Sequence, residues 1–432
     1  MAAVYPFRAL QYTASAGDIA ALTCPPYDVV SEAQRKAYLA QNPHNMIRLE
    51  LPREGEDVYA AAGDTLSGWL AEGVLDTADV PAFYLYAMDF SVGGRPYSVA
   101  GVIGEVELSP FSEGVILPHE ETLSKAKEDR FRLMKATGCN FSTIYSLYRD
   151  EDNILNVMDF AASARMQWDM TDGDGIRHRL WAIENPADCA RLSAHFADKK
   201  LYIADGHHRY ETALRYRDDR RAAGAPVGGP ADRVMMLLVE MSHPGLVVFP
   251  THRVLRLLPD FDAQALLSAC APQFAVTSLT RDGIAAALDT AYAKGETAFG
   301  LYTGGDGAAL LTLRDPGVMD ELLPELSPAS RHLDVTVLHA LILERILHID
   351  KADMAAQRSL TYTRSLPEAL DMVQQGQSSG AFLLNPTRVP QLAAVAAAGE
   401  KMPQKSTYFY PKPITGLVMR SLTLAPDNKS GS

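Results

Sequence analysis

Leu201-Tyr-Ile-Ala-Asp-Gly-His-His-Arg-Tyr-Glu-Thr-Ala-Leu214 changes character halfway along. Leu201 to Ala204 is a short apolar run and predicts a buried strand. Asp205 and Gly206 make a turn, and Tyr210 to Tyr216 has helical spacing. His207, His208 and Arg209 therefore arrive together at a strand-to-helix junction. Backbone N–H groups at a helix start are unpaired and carry partial positive charge, which suits an anion. Arg209 adds a planar fork that matches phosphate oxygens. The competing account is a capped helix with a structural His pair. Asp, two His and Arg within five residues favour a site.

The 432 residues are too many for one ordinary core, so two or three domains are expected. With 47% apolar and 22% charged residues, the composition is that of a soluble globular protein. A net charge of −13 argues against a dedicated nucleic-acid binder. The longest apolar runs fall short of a membrane span, and Met1 to Arg8 lacks the pattern of a signal peptide. Cys24, Cys139, Cys189 and Cys270 are scattered, with no C-x-x-C pair. The expected location is the cytoplasm.

Three segments are expected. The first, residues 1–108, is an N-terminal α/β segment. It contains the Pro-rigidified turn Thr23-Cys-Pro-Pro-Tyr-Asp28, a helix capped by Ser31, and Asn42 to Pro52 as a loop entering a short strand. It ends in a hairpin around Gly93-Gly94. The second, 109–253, carries the chemistry: a strand before His119-Glu120, a charged helix from Ser124 to Thr137, a strand at Ser142 to Tyr148, a helical and polar stretch, and the Asp205 junction. The third, 254–432, is a C-terminal α/β domain. It has a hairpin across Gly304 to Gly307, an apolar helix from Asp334 to Leu347, and then alternating strands and helices ending in a strand at Thr415 to Leu422. Asp427 to Ser432 reads as a disordered tail.

Glu120 follows the strand end Ile116-Leu117-Pro118. A carboxylate there can take a proton from a substrate hydroxyl, although acidic residues also favour helix starts for their dipole. Glu121 is its nearest rival. His119, Asp205 and His208 join Glu120 as catalytic candidates. Gly206, His207, His208 and Arg209 are the candidate phosphate site. His44 and Arg48, His252 and Arg253, and Lys405, Ser406 and Thr407 are candidate substrate-binding residues, all in polar stretches bordering strands. The chain has no P-loop, dinucleotide fingerprint, G-x-S-x-G elbow or H-E-x-x-H motif. Phosphate chemistry would need a less common scaffold.

Pro25-Pro-Tyr-Asp-Val-Val30, Asn42 to Leu49, His119-Glu-Glu-Thr122, Lys127-Glu-Asp-Arg130, Ala204 to Ala213, Pro250-Thr-His-Arg253 and Lys405 to Lys412 resemble the DUF1015 family over nearly the whole chain. The middle segment is also similar to the ParB/sulfiredoxin superfamily, closest to its free-serine-kinase branch. There a strand leads to His-Glu, and Asp-Gly-His-His-Arg later opens a helix. That resemblance implies nucleotide phosphates (ATP, ADP or pyrophosphate) and Mg²⁺ at Asp205 to Arg209, with Glu120 as base toward the serine hydroxyl. Roughly fifty residues between Tyr148 and Leu201 depart from the compact kinases.

The expectation is an α+β protein: a ParB/sulfiredoxin-like central unit flanked by N- and C-terminal α/β segments. It would move a phosphoryl group from a nucleotide to a small hydroxylated metabolite, L-serine first. A nucleotide- or metabolite-binding regulator without turnover is the second class, and a ParB-like DNA-binding protein the third.

Overall fold

The computed structural model describes residues 1–120, 122, 124–150, 155–403 and 405–423. The fold is α+β. Two compact units account for it. Unit 1 comprises Met1–Pro118, Thr122–Val247 and Pro411–Ser432, and unit 2 comprises His119–Glu121 and Val248–Tyr410.

Unit 1 is built on a nine-stranded sheet. Its order is Ile116–Leu117, Leu201–Asp205, Ile144–Tyr148, Arg233–Glu240, Arg95–Glu107, Phe83–Val92, Arg177–Ile183 and Arg165–Thr171, with Val4–Tyr5 also pairing on Arg95–Glu107. Strands from both sides of Leu108 share this sheet, so the boundary expected there falls inside one unit. The Gly93-Gly94 hairpin forms as expected, with Val92 paired to Arg95. Most of these strands are mixed or continuous apolar runs, because side chains on both faces are covered. The core gathers Phe83, Ile144, Leu192, Leu201, Ile203, Tyr210, Met236 and Leu238.

Three local readings are corrected. Asn42 to Pro52 enters a helical turn, Ile47–Glu50, rather than a strand. Asn45 decides this. Its side chain accepts from the Ile47 N–H and donates to the Ala21 and Thr23 carbonyls, which fixes a helix start. The helical and polar stretch expected between Tyr148 and Leu201 also contains strands: among its described residues a helical turn, Val157–Ala162, is followed by a hairpin, Arg165–Thr171 with Arg177–Ile183, and then a helix, Pro186–Phe196. The hairpin extends the sheet at the end opposite Ile116–Leu117. At the other end of the chain, the strand expected at Thr415 to Leu422 is reduced to Arg420–Ser421. Ser31 caps Glu32–Gln41 as expected, in a reciprocal capping box with Gln34.

Unit 2 has a six-stranded antiparallel sheet in the order Phe274–Thr280, Gly307–Leu313, Ala298–Tyr302, Gly380–Leu384, His252–Leu255 and Leu360–Thr363. The hairpin across Gly304 to Gly307 is present. Helices Ile284–Lys294 and Leu366–Gln374 supply Ile284, Leu288, Ala369 and Val373 to its core. The apolar helix expected from Asp334 to Leu347 starts as α-helix at Asp334–Val337 and widens into a π-helix at Leu338–Glu344. No helix among the described residues is long and apolar enough to cross a membrane. The tail expected at Asp427 to Ser432 lies outside the described residues.

Candidate functional site

In unit 1 the Asp205 junction takes the expected form. Leu201–Asp205 is a strand whose first four residues are buried, and His207–Ala222 is a 16-residue helix. The strand's pairing with Ile144–Tyr148 shifts register between Ile203 and Asp205, so that Asp205 closes the ladder opposite Tyr145. Gly206 connects the two elements at φ 97°, a left-handed conformation that only glycine adopts cheaply. A Cβ there would also meet the Arg209 guanidinium at 3.0 Å.

Asp205 is held by two cations. Its Oδ2 accepts from Arg209 Nη2 at 2.6 Å, and its Oδ1 lies 2.8 Å from Lys412 Nζ. Lys412 also donates to Asp28 Oδ2. Arg209 Nη1 donates to the Thr143 carbonyl. Burial pushes the Asp205 carboxyl up, but Lys412 and Arg209 more than reverse this and hold it well below the ordinary carboxylate range. Lys412 responds in kind. Burial alone would lower it, and Asp205 and Asp28 raise it above the usual lysine range.

A second group of charges surrounds this one within unit 1. Arg130 stacks 4.0 Å over the Tyr27 ring, donates to the Glu50 carbonyl at 2.7 Å and pairs with Asp129. The Glu50 carboxylate is buried and accepts from Ser142. Burial raises its pKa, against the opposing pull of Arg130 and Arg209. On the helix, Glu211 accepts from both Lys127 (2.6 Å) and Thr122 (2.8 Å). Lys127, the most conspicuous cation of the charged helix, is therefore engaged by a carboxylate.

His119, Glu120, Arg253 and the loop at Lys405 to Thr407 come together in unit 2. His119 is fully buried, and its Nε2 bonds Thr407 Oγ1 at 2.9 Å. Met402 N–H donates to the His119 carbonyl, and Glu120 forms a parallel bridge with Met402. Glu120 Oε1 accepts from the Lys405 N–H at 3.1 Å. His119 and Glu120 are thus clasped by a segment almost three hundred residues later, 285 for the Glu120–Lys405 bond. Lys405 itself sits at φ 59°. Ser406 Oγ donates to the Pro403 carbonyl, and Thr387 Oγ1 donates to the Ser406 carbonyl.

Arg253 lies beside this loop, 1% exposed. Its guanidinium donates to the Thr251 and Lys405 carbonyls and to His339 Nε2, all neutral acceptors. Burial lowers its pKa to about 10. His252 points to the neighbouring strand, where its Nδ1 accepts from the Leu384 N–H. His44 and Arg48 have local partners in unit 1. The His44 ring meets Trp69 edge-on, and Arg48 Nε donates to the Pro43 carbonyl. Glu121, the rival of Glu120, lies outside the described residues.

The residues left out of the candidate set are Asp28, Glu50 and Lys412. Each carried a signal. Lys412 stands between Pro411 and Pro413, Asp28 follows Pro25-Pro26-Tyr27, and Glu50 interrupts an apolar run between Leu49 and Leu51. A charge locked by flanking prolines or set among leucines is costly to leave unpaired.

The donor set at Asp205 does not fit a Mg²⁺ ligand as it stands. Each carboxylate oxygen already holds a cationic nitrogen, so a metal would have to displace one. Among the described residues, no group of three or more His, Cys, Asp and Glu side chains is arranged to hold a metal ion.

A buried strand, a glycine turn and a helix start make this an α+β protein with a candidate anion site. The chain belongs to the DUF1015 family, described as a protein of unknown function, whose model matches residues 4–336. No curated protein matches the sequence. Among solved structures, a conserved hypothetical protein from Pyrococcus furiosus is similar at 14% identity, covering 72% of this chain and 93% of its own, with a TM-score of 0.36. A free serine kinase in complex with AMP is 13% identical, covering 68% and 84%, with a TM-score of 0.34. SbnI with a C-terminal truncation, from Staphylococcus aureus, is 13% identical, covering 72% and 86%, with a TM-score of 0.33.

Proposed function

We propose that this protein transfers a phosphoryl group from a nucleotide or pyrophosphate to a small hydroxylated metabolite, L-serine first. The observation that carries the proposal is Gly206 at positive φ, heading a 16-residue helix and followed at once by His207, His208 and Arg209. Such a turn lets phosphate oxygens approach backbone N–H groups closely, in the partial positive field of the helix start. In this reading residues 206–209 hold the donor's phosphates. Asp205 positions Arg209, and His208 adds charge stabilisation to the transferring group.

Glu120 is the proposed base. The substrate oxygen forms a bond to phosphorus, the bond from phosphorus to the donor's bridging oxygen breaks, and the hydroxyl proton passes to the Glu120 carboxylate. Its bond from Lys405 N–H engages Oε1 and would orient the group. A positioned base contributes ~10²–10⁴-fold. His119 is a positioning residue for the same loop through Thr407. Arg253, Lys405, Ser406 and Thr407 would receive an anionic substrate group, with His252, His44 and Arg48 as further candidates.

The test combines ATP, ADP and pyrophosphate with L-serine, followed by phosphoserine detection. AMP, named with the free serine kinase structure, is a further binding probe. Glu120→Gln should abolish phosphorylation and leave nucleotide binding intact. Arg209→Ala should weaken nucleotide binding at least tenfold, ~1.4 kcal/mol or more. The saturated state of Asp205 favours a second reading, a nucleotide-responsive regulator without turnover. It is supported if the wild type binds nucleotide through Arg209 and phosphorylates no small hydroxylated metabolite. Absence of nucleotide and pyrophosphate binding would refute both.

A further inference from the structure

Unit 2 contains a cavity of about 200 Å³ away from the residues assigned above. Four parts of the chain wall it: the turn after Ile284–Lys294, Pro316, the stretch from His332, whose ring pairs with Asp320, to the start of Asp334–Val337, and the entry to Val389–Ala397. The size matters first. Drug-sized ligands need roughly 300–1,000 Å³. At about 30 Å³ per water-sized group, this space suits a molecule of six or seven heavy atoms.

Its charges are fixed in place. Thr297 Oγ1 donates to Asp334 Oδ1 at 2.9 Å. The Arg388 guanidinium lies 3.9 Å over the Tyr292 ring and donates to the Tyr292 carbonyl. The Arg388 backbone is held too, its N–H donating to Gln391 Oε1 at 2.9 Å. Burial raises the Asp334 carboxyl to about 6, and Thr297 and Arg388 offset this only in part. Among the described residues no cation pairs with Asp334 at salt-bridge distance, and Glu296 adds a second carboxylate to the lining. Among the described residues, the cavity therefore presents a carboxylate short of a cation and a guanidinium without a carboxylate partner in the same small space.

We propose that this cavity binds a free amino acid with a small side chain, its ammonium on Asp334 and its carboxylate on the Arg388 guanidinium. The phosphotransfer reading is not required. Glycine and L-alanine are the probes, since neither has a hydroxyl and neither can accept a phosphoryl group. Propionate and ethylamine, each with one of the two charges, are the controls.

Calorimetry on the full chain should show binding of glycine or L-alanine, with the controls at least tenfold weaker, ~1.4 kcal/mol. Asp334→Asn and Arg388→Gln should each weaken the amino acid at least tenfold. Arg388 is exposed, so its variant tests the site even if Asp334→Asn disturbs the helix start. No heat from either probe at about 10 mM, controls that bind as well as the amino acids, or an Arg388→Gln variant that binds like the wild type would each overturn the proposal. Glu120→Gln should leave the binding unchanged, which separates this result from the fate of the kinase reading.

Discussion

The ammonium of Lys412 lies 2.8 Å from Asp205 Oδ1 and donates also to Asp28, joining the C-terminal stretch of unit 1 to its first turn and to its central junction. Lys412 is 8% exposed and Asp205 21%, so the pair is poorly screened; Asp28, at 37%, contributes less. Removing the ammonium leaves Arg209 as the main cation on Asp205. Lys412→Met should destabilise unit 1 by ~3–5 kcal/mol, the range for removing one partner of a buried pair. Asp28→Asn should cost under about 1 kcal/mol. Denaturant unfolding of the two variants checks the order, and equal costs would show that Asp28 is the main partner.

Gly206 combines two constraints that can be separated. Its φ of 97° strains any L side chain, and an added Cβ would press on the Arg209 guanidinium at 3.0 Å. Gly94, at the hairpin tip, shares the positive φ (77°) but has open space around it. Gly94→Ala should therefore cost ~1 kcal/mol from strain alone. Gly206→Ala should cost ~1–3 kcal/mol and displace Arg209 from Asp205. The functional readout is anion affinity, which should fall in Gly206→Ala and stay unchanged in Gly94→Ala.

The Asp205 junction was legible because its signals are local. A buried strand, a glycine turn and helical spacing all lie within fourteen residues, and the structure keeps each of them. The hairpins around Gly93 and Gly304 were legible for the same reason. The partners of the site residues were not. Glu120 meets Lys405 and Asp205 meets Lys412 across hundreds of residues, and one sequence carries no signal of such pairing. The Ile47–Glu50 turn was missed because its apolar alternation also suits a strand, and Asn45 settles it by capping. The hairpin before Pro186 was obscured by polar residues on its exposed face.

Unit 2 should lose stability as the pH falls below neutral, with His252 as a principal cause. The ring is 2% exposed, and burial, then Arg253, lowers its pKa to about 4 from 6.5. A lowered histidine pKa means that the unfolded chain binds the proton first. The stabilisation is therefore complete above about pH 6.5 and is lost as the pH falls toward 4. At ~1.4 kcal/mol per pKa unit, the loss from this ring approaches ~3 kcal/mol. Asp334, raised to about 6, works in the opposite direction between 4 and 6, so the wild-type curve alone is ambiguous. The difference between wild type and His252→Gln isolates the ring. It should shrink between pH 7 and pH 5, and a constant difference would exclude His252.

Lys405 separates a structural cost from a binding role. Its backbone is at φ 59°, where a residue with a Cβ is strained by ~1–2 kcal/mol, while its N–H holds Glu120. Lys405→Gly relieves that strain and Lys405→Ala retains it; both keep the N–H and remove the ammonium. Lys405→Gly should therefore be the more stable variant by ~0.5–1 kcal/mol, after allowing for glycine's greater chain entropy. If the ammonium receives an anionic substrate group, both variants should raise KM for the acceptor by the same factor, about tenfold for a lost charge-assisted contact. kcat should change little, because the Glu120 bond survives. A KM that follows stability rather than charge would reduce Lys405 to a loop residue. An unchanged KM in both variants would remove it from the substrate site.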